Sequence, residues 1–123
     1  MSPKLLEHTI VEAHDAATGK LDAVRLAETL GFSTEEMAQI LKRTSRGLRK
    51  NPDSDKLQDD MVRLESLIVR LRYLLDGSIE YVRIWLRSPH PILGGDTPMS
   101  CLLERKLESV ELLVHAMETG QPL

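Results

Sequence analysis

Apolar residues recur along this chain three and four positions apart, and nowhere in the strict alternation of a half-buried strand. Leu6, Ile10, Ala13 and Ala17 fall on one helical face, with Ser2 as a cap, Pro3 at the first helical position and Gly19 as the stop. A second helix is predicted from about Asp22 to Leu30, apolar at Val24, Leu26, Ala27 and Leu30 and ended by Gly31. Ser33 or Thr34 caps a third. Glu36 stands at capping-box distance from Ser33, and Met37, Ala38, Ile40 and Leu41 face inward. A short basic segment, Ser45 to Asn51, is stopped by Pro52. The longest stripe follows: Leu57, Met61, Leu64, Ile68, Leu71 and Leu75 alternate steps of four and three, Leu67 and Leu74 widen it, and Asp76-Gly77 ends it. A helix from Ser78 to Leu86 presents Ile79, Val82, Trp85 and Leu86. Thr97-Pro98 then starts a helix whose Leu103, Leu107, Val110, Val114 and Met117 keep the spacing as far as Gly120. The predicted fold class is all-α.

Two segments break this rhythm. "NPDSDKLQDD" is polar and turn-forming, and it divides the chain into halves 1–52 and 53–123. "WLRSPHPILGGDTPMS", Trp85 to Ser100, holds three of the six prolines and two of the seven glycines. Pro89, Pro91 and Pro98 fix backbone angles and withhold amide donors, and the residue before each is pushed away from helix. Gly94-Gly95 permits a sharp turn. The segment is therefore a stiff corner between two helices, with Trp85 expected to wedge beneath it as the largest single apolar burial. Its outer residues His90, Ile92 and Asp96 are candidate partner contacts, because a preorganised loop loses little entropy on docking. The tail "ETGQPL" follows a helix stop and has no core pattern, so Gln121, Pro122 and Leu123 are candidates too.

Composition narrows the chemistry. A chain of 123 residues suits one compact domain or two small helical halves, and with aromatics at 3% its core must be aliphatic. The single cysteine, Cys101, excludes an internal disulfide and a Cys-rich zinc site, and it sits on an apolar helix as a buried, inert thiol. His8, His14, His90 and His115 lack metal-ligand spacing, and the pairs Glu35-Glu36 and Asp59-Asp60 diverge around a helix. Hence no enzyme, metal or cofactor is expected. Glu7, His8 and Glu12 interrupt the apolar residues of the N-terminus, which argues against a signal peptide, and no run approaches the roughly 18 apolar residues of a membrane span. A cytoplasmic location is expected.

The net charge of −3 argues against general nucleic-acid binding, but its distribution changes the picture. "KRTSRGLRK", Lys42 to Lys50, holds five of the 16 basic residues and no acid, leaving 11 basic against 19 acidic elsewhere, a net of −8. Two short helices joined by a tight turn, the second rich in arginine, suggest a DNA-reading unit. Pairing Asp22–Leu30 with Thr34–Lys42 would start the reading helix on Thr34-Glu35-Glu36 and aim two carboxylates at phosphates. Pairing Thr34–Leu41 with Ser45–Asn51 starts it on basic residues instead, and electrostatics favours this second register. Arg46, Arg49 and Lys50 then share one face, and the Thr44 and Ser45 hydroxyls suit a phosphate. Thr44, Ser45, Arg46, Arg49 and Lys50 are the candidate DNA contacts. Solubilisation of an exposed helix end is the alternative.

These residues carry a resemblance. "GFSTEEMAQILKRTSRGLRK" resembles the Xre-type helix-turn-helix of the Xre/MbcA/ParS antitoxins, and "WLRSPHPILGGDTP" followed by "LLVHAMETG" resembles their C-terminal toxin-binding domain. Trp85, Leu86, Pro89, Gly95, Pro98 and Gly120 carry the second pattern, and the likeness spans roughly Gly31 to Gly120. The sequence departs from that pattern at His90, where the family often has asparagine, and at Gly47 in the reading helix. Lys42 and Arg43 replace a glycine and an aliphatic residue. Arg105 stands near a frequent glycine, from which a reduced break between the last two helices is expected. The resemblance implies a helix-turn-helix half followed by a toxin-binding half. It also implies a RES-domain toxin partner that consumes NAD and is neutralised by occlusion of its active site, repression of the antitoxin's own promoter through operator DNA, and no catalysis. A homodimer or a toxin–antitoxin hetero-oligomer is expected, with Leu57–Leu75 supplying either a dimer seam or part of the chain's own core. A stand-alone Xre-type transcriptional regulator and a dimerisation scaffold are the competing readings.

Overall fold

The computed structural model describes residues 10–120. The helix start expected at Ser2-Pro3 and the candidates Gln121, Pro122 and Leu123 lie outside the described residues. Among those described, seven α-helices and no strand are present: α1 (Ala23–Leu30), α2 (Thr34–Leu41), α3 (Ser45–Lys50), α4 (Asp55–Leu74), α5 (Ile79–Leu86), α6 (Pro98–Leu103) and α7 (Leu107–Glu118), with 3-10 turns at Val11–Ala13 and Pro91–Leu93. The all-α expectation holds. Two compact units divide within α4, at Val69/Arg70. The expected division by function at 52/53 is a different one.

In the first unit, side-chain caps fix where helices begin. The Asp22 carboxylate accepts the Val24 and Arg25 N–H groups at 3.0 Å and starts α1, which Gly31 ends at φ +72°. Ser33 and Glu36 form a reciprocal capping box on α2. Thr44 Oγ1 accepts the Gly47 N–H at 3.0 Å and starts α3. Lys42 ends α2 in the left-handed region at φ +60°, a conformation that costs a side-chain-bearing residue roughly 1 kcal/mol and that glycine would adopt freely.

From Ile10 to Gly19 the chain is not the helix its periodicity suggested. After the turn Val11–Ala13 the backbone is extended at His14, which forms an isolated antiparallel bridge with Leu21. Local competition explains this. Asp15 Oδ1 accepts from the Ala17 and Thr18 N–H groups, holding its carboxyl below the usual range and closing a turn that Gly19 completes at φ +74°. Two side chains of α4 then hold the segment. Gln58 pairs with both the N–H and the carbonyl of Leu21, at 3.0 and 2.9 Å. Buried Glu65 accepts the Ile10 N–H at 3.0 Å and faces His14 Nε2 at 2.7 Å.

The long stripe of α4 is buried at Leu57, Met61, Leu64, Leu67, Ile68 and Leu71. Each such side chain contributes about 1.5–3 kcal/mol when taken from water. These residues therefore lie in the chain's own core and are not free to form a dimer seam.

In the second unit, Ser78 Oγ accepts the Tyr81 N–H and caps α5, while Thr97 caps α6 ahead of Pro98. The apolar spacing read from Pro98 to Gly120, with only a reduced break expected near Arg105, belongs to two helices. α6 ends at Leu103, α7 begins at Leu107, and Arg105 takes the left-handed conformation at φ +63° between them. The break is complete rather than reduced, because the Lys106 N–H reaches back to the Cys101 carbonyl at 2.8 Å and closes the end of α6.

Arg70, near the end of α4, makes a bidentate pair with Glu118 at the end of α7, its Nε donating to Oε2 at 3.1 Å. That hydrogen bond holds the Glu118 carboxyl below its ordinary value of 4.5. A depressed carboxyl stabilises the fold above the unfolded value and loses that contribution as pH falls through the folded value. Glu118→Gln is therefore expected to cost less than about 1 kcal/mol at neutral pH, since both side chains are partly exposed and screened. The two proteins should converge in stability as pH falls through the depressed folded-state value of Glu118, as urea unfolding at neutral and acid pH will show.

Candidate functional site

Two surfaces carry the residues singled out above, one in each unit. In the first unit α2, the turn at Lys42–Arg43 and α3 place Thr44, Arg46, Arg49 and Lys50 on the exterior, with Ser45 half-buried. Leu48 alone anchors α3 in the core. Thr44 is spent partly on capping. Arg49 is drawn to Glu35 on α2 at 3.0 Å, so one of the carboxylates weighed against the other register neutralises part of the basic face. Arg46 and Lys50 make no ion pair among the described residues.

In the second unit the corner between α5 and α6 closes on its own backbone. The His90 N–H donates to the Asp96 carbonyl at 3.1 Å, and the Gly95 and Leu93 N–H groups donate to the His90 carbonyl at 3.1 and 3.0 Å. Gly94 and Gly95 adopt φ of +69° and +90°, where a side chain is strained. His90 and Asp96 are thus brought together as the two ends of a clasped loop, with Ile92 at its tip 49% exposed and Asp96 exposed.

Trp85 does not wedge beneath this loop. The buried residues of α5 are Val82 and Leu86, one turn apart, and Trp85 lies at the edge of that stripe, half-buried. Its indole packs on the His90 imidazole instead, with ring centroids 4.7 Å apart and planes inclined by 49°. His90 Nε2 lies 3.4 Å from the Trp85 carbonyl. Trp85 and His90 therefore brace one end of the loop from its side.

Sequence reasoning passed over the residues that make this surface apolar. Tyr81 and Ile84 on α5 are 58% and 63% exposed. They lie three positions apart, and Trp85 follows one turn after Tyr81, so all three share a face. A signal was present: neither Tyr81 nor Ile84 belongs to the inward set Ile79, Val82, Trp85 and Leu86. Two aliphatic or aromatic residues outside the core stripe of so short a helix are unusual unless something covers them.

Cys101 is buried on α6, and burial pushes its thiol up, with the charges of Asp96 and Glu104 adding to the effect. A thiol so placed is a poor nucleophile. Among the described residues no three His, Cys, Asp or Glu side chains come together as a metal site, and no helix is long and apolar enough to cross a membrane.

Residues 61–120 match the family model of the antitoxin Xre/MbcA/ParS C-terminal toxin-binding domain. The match takes in α4 from Met61, the whole of α5, the clasped loop, α6 and α7. A search of curated proteins finds no significant match.

Proposed function

The chain belongs to the Xre/MbcA/ParS antitoxin family through residues 61–120, and from that premise we propose that it neutralises a RES-domain, NAD-consuming toxin in the cytoplasm by covering the toxin's active site. The observation that carries this reading is an exposed apolar face within a domain whose family binds toxins. That face comprises Tyr81, Ile84 and the exposed edge of Trp85, and Ile92 is exposed on the clasped loop. The toxin is its occupant. Apolar side chains on a rigid helix and a pre-closed loop bury area on docking at little entropic cost. His90 and Asp96 supply polar contacts beside the apolar centre, and Gln121, Pro122 and Leu123 extend the contact toward the toxin's cleft.

The test is co-expression with the product of the neighbouring gene. A complex should purify in which NAD consumption is suppressed. A toxin that stays active beside a folded antitoxin overturns the reading.

A second activity, repression of the antitoxin's own promoter by a homodimer, follows from the first half, 1–52. Support comes from α2, the turn and α3, and from Arg46 and Lys50, which make no ion pair among the described residues. Binding of the promoter that weakens steeply with salt separates this from a dimerisation scaffold, since phosphate contacts release counterions. The absence of any toxin gene nearby would favour a stand-alone regulator.

A further inference from the structure

A cleft of about 160 Å³ opens between α3 and the start of α4 in the first unit. Leu48 and Leu57, both buried, form its floor, and Arg43, Thr44, Ser54 and Lys56 stand round it. No acid lines it. We infer that this cleft holds one phosphodiester of bound DNA, clamped between Arg43 and Lys56, an inference that rests on the DNA-binding reading above and extends it beyond the reading helix to α4.

Three features of the side chains favour an anion there. First, neither Arg43 nor Lys56 has an acidic partner among the described residues. Asp55, which precedes Lys56 in the chain, pairs with Lys20 instead, at 2.7 Å. Second, both hydroxyl oxygens already act as acceptors. Thr44 Oγ1 takes the Gly47 N–H and Ser54 Oγ takes the Lys56 N–H, so each hydroxyl proton is left to donate outward. Third, Lys56 lies in the first turn of a 20-residue helix, the end at which the backbone dipole disfavours a cation. A phosphate between Lys56 and Arg43 turns that unfavourable placement into a paired one. Arg43 presents a guanidinium with several N–H groups beyond the one it gives to the Lys42 carbonyl.

The full-length protein is titrated with a duplex spanning its own promoter and with a scrambled duplex of equal length, over a range of salt. Lys56→Gln is expected to weaken binding to both duplexes by the same factor and to lower the slope of log K against log salt by about one. Lys56→Arg should restore both, and Arg43→Gln should act like Lys56→Gln. Unchanged slope and affinity in Lys56→Gln, with binding still reduced by Arg46→Gln, overturns the clamp and leaves the DNA reading standing. No binding of either duplex by the wild-type protein overturns both. A loss confined to the promoter duplex also overturns the clamp, because a phosphate contact carries no base information.

Discussion

Ile84→Asp should leave the free protein folded and weaken its binding to the cognate toxin thirty- to a hundredfold, a loss of about 2–3 kcal/mol. The side chain is 63% exposed on α5 and supports none of the core, so the substitution should shift stability by no more than about 0.5 kcal/mol. In the complex the same carboxylate would be buried beside Tyr81 and Trp85, with no partner for its charge. Titration calorimetry with purified toxin, alongside circular dichroism of the free variant, measures both quantities. An affinity unchanged by this substitution would place the toxin elsewhere on the domain. Tyr81→Glu provides an independent reading of the same face.

The second large effect is on folding. Glu65→Leu should lower stability by about 2–3 kcal/mol, a substantial part of the 5–15 kcal/mol typical of a small domain. Glu65 is 5% exposed, and one carboxylate oxygen serves both the Ile10 N–H and His14 Nε2. The other ring nitrogen of His14 contacts the Gly19 carbonyl at 2.8 Å, so the histidine bridges two segments. Leucine fills the space but leaves a buried amide without an acceptor. Glu65→Gln keeps an acceptor oxygen and should cost less. Urea midpoints at constant slope report the difference. A midpoint that does not move in Glu65→Leu would mean that the segment from Ile10 to Leu21 is held by its apolar contacts alone.

Both predictions concern what periodicity does not show. Glu65 lies inside the apolar stripe of α4 and looks like an exception to it. Its partner is 55 residues earlier in the chain, and no local pattern announces such a pairing. The same distance defeats the reading of Ala13 and Ala17 as a helical face. Alanine is a good helix former, but propensity is a weak preference, and the Asp15 carboxylate, Gly19 and two side chains of α4 together outweigh it. Trp85 failed for another reason. Size suggested deep burial, but Val82 and Leu86 already fill the inward stripe of α5, and the indole found His90 at the edge. The break at Arg105 was hidden because an arginine occupies a conformation whose usual marker is glycine.

What the chain's order of residues settled by itself is the helical class, the starts of α1, α2, α5 and α6, and the family resemblance, because caps, glycine stops and apolar spacing act within a few residues of one another. The clasp between His90 and Asp96 was half legible, since Pro91 and the two glycines demand a tight corner without saying which groups close it. Only tertiary structure decided that the long stripe of α4 is core, that Arg49 is tied to Glu35, that Lys56 and Arg43 line one cleft, and that Tyr81 and Ile84 are left exposed. Burial and pairing are set by whichever distant segment arrives at a face, and a list of neighbours along the chain does not contain that information.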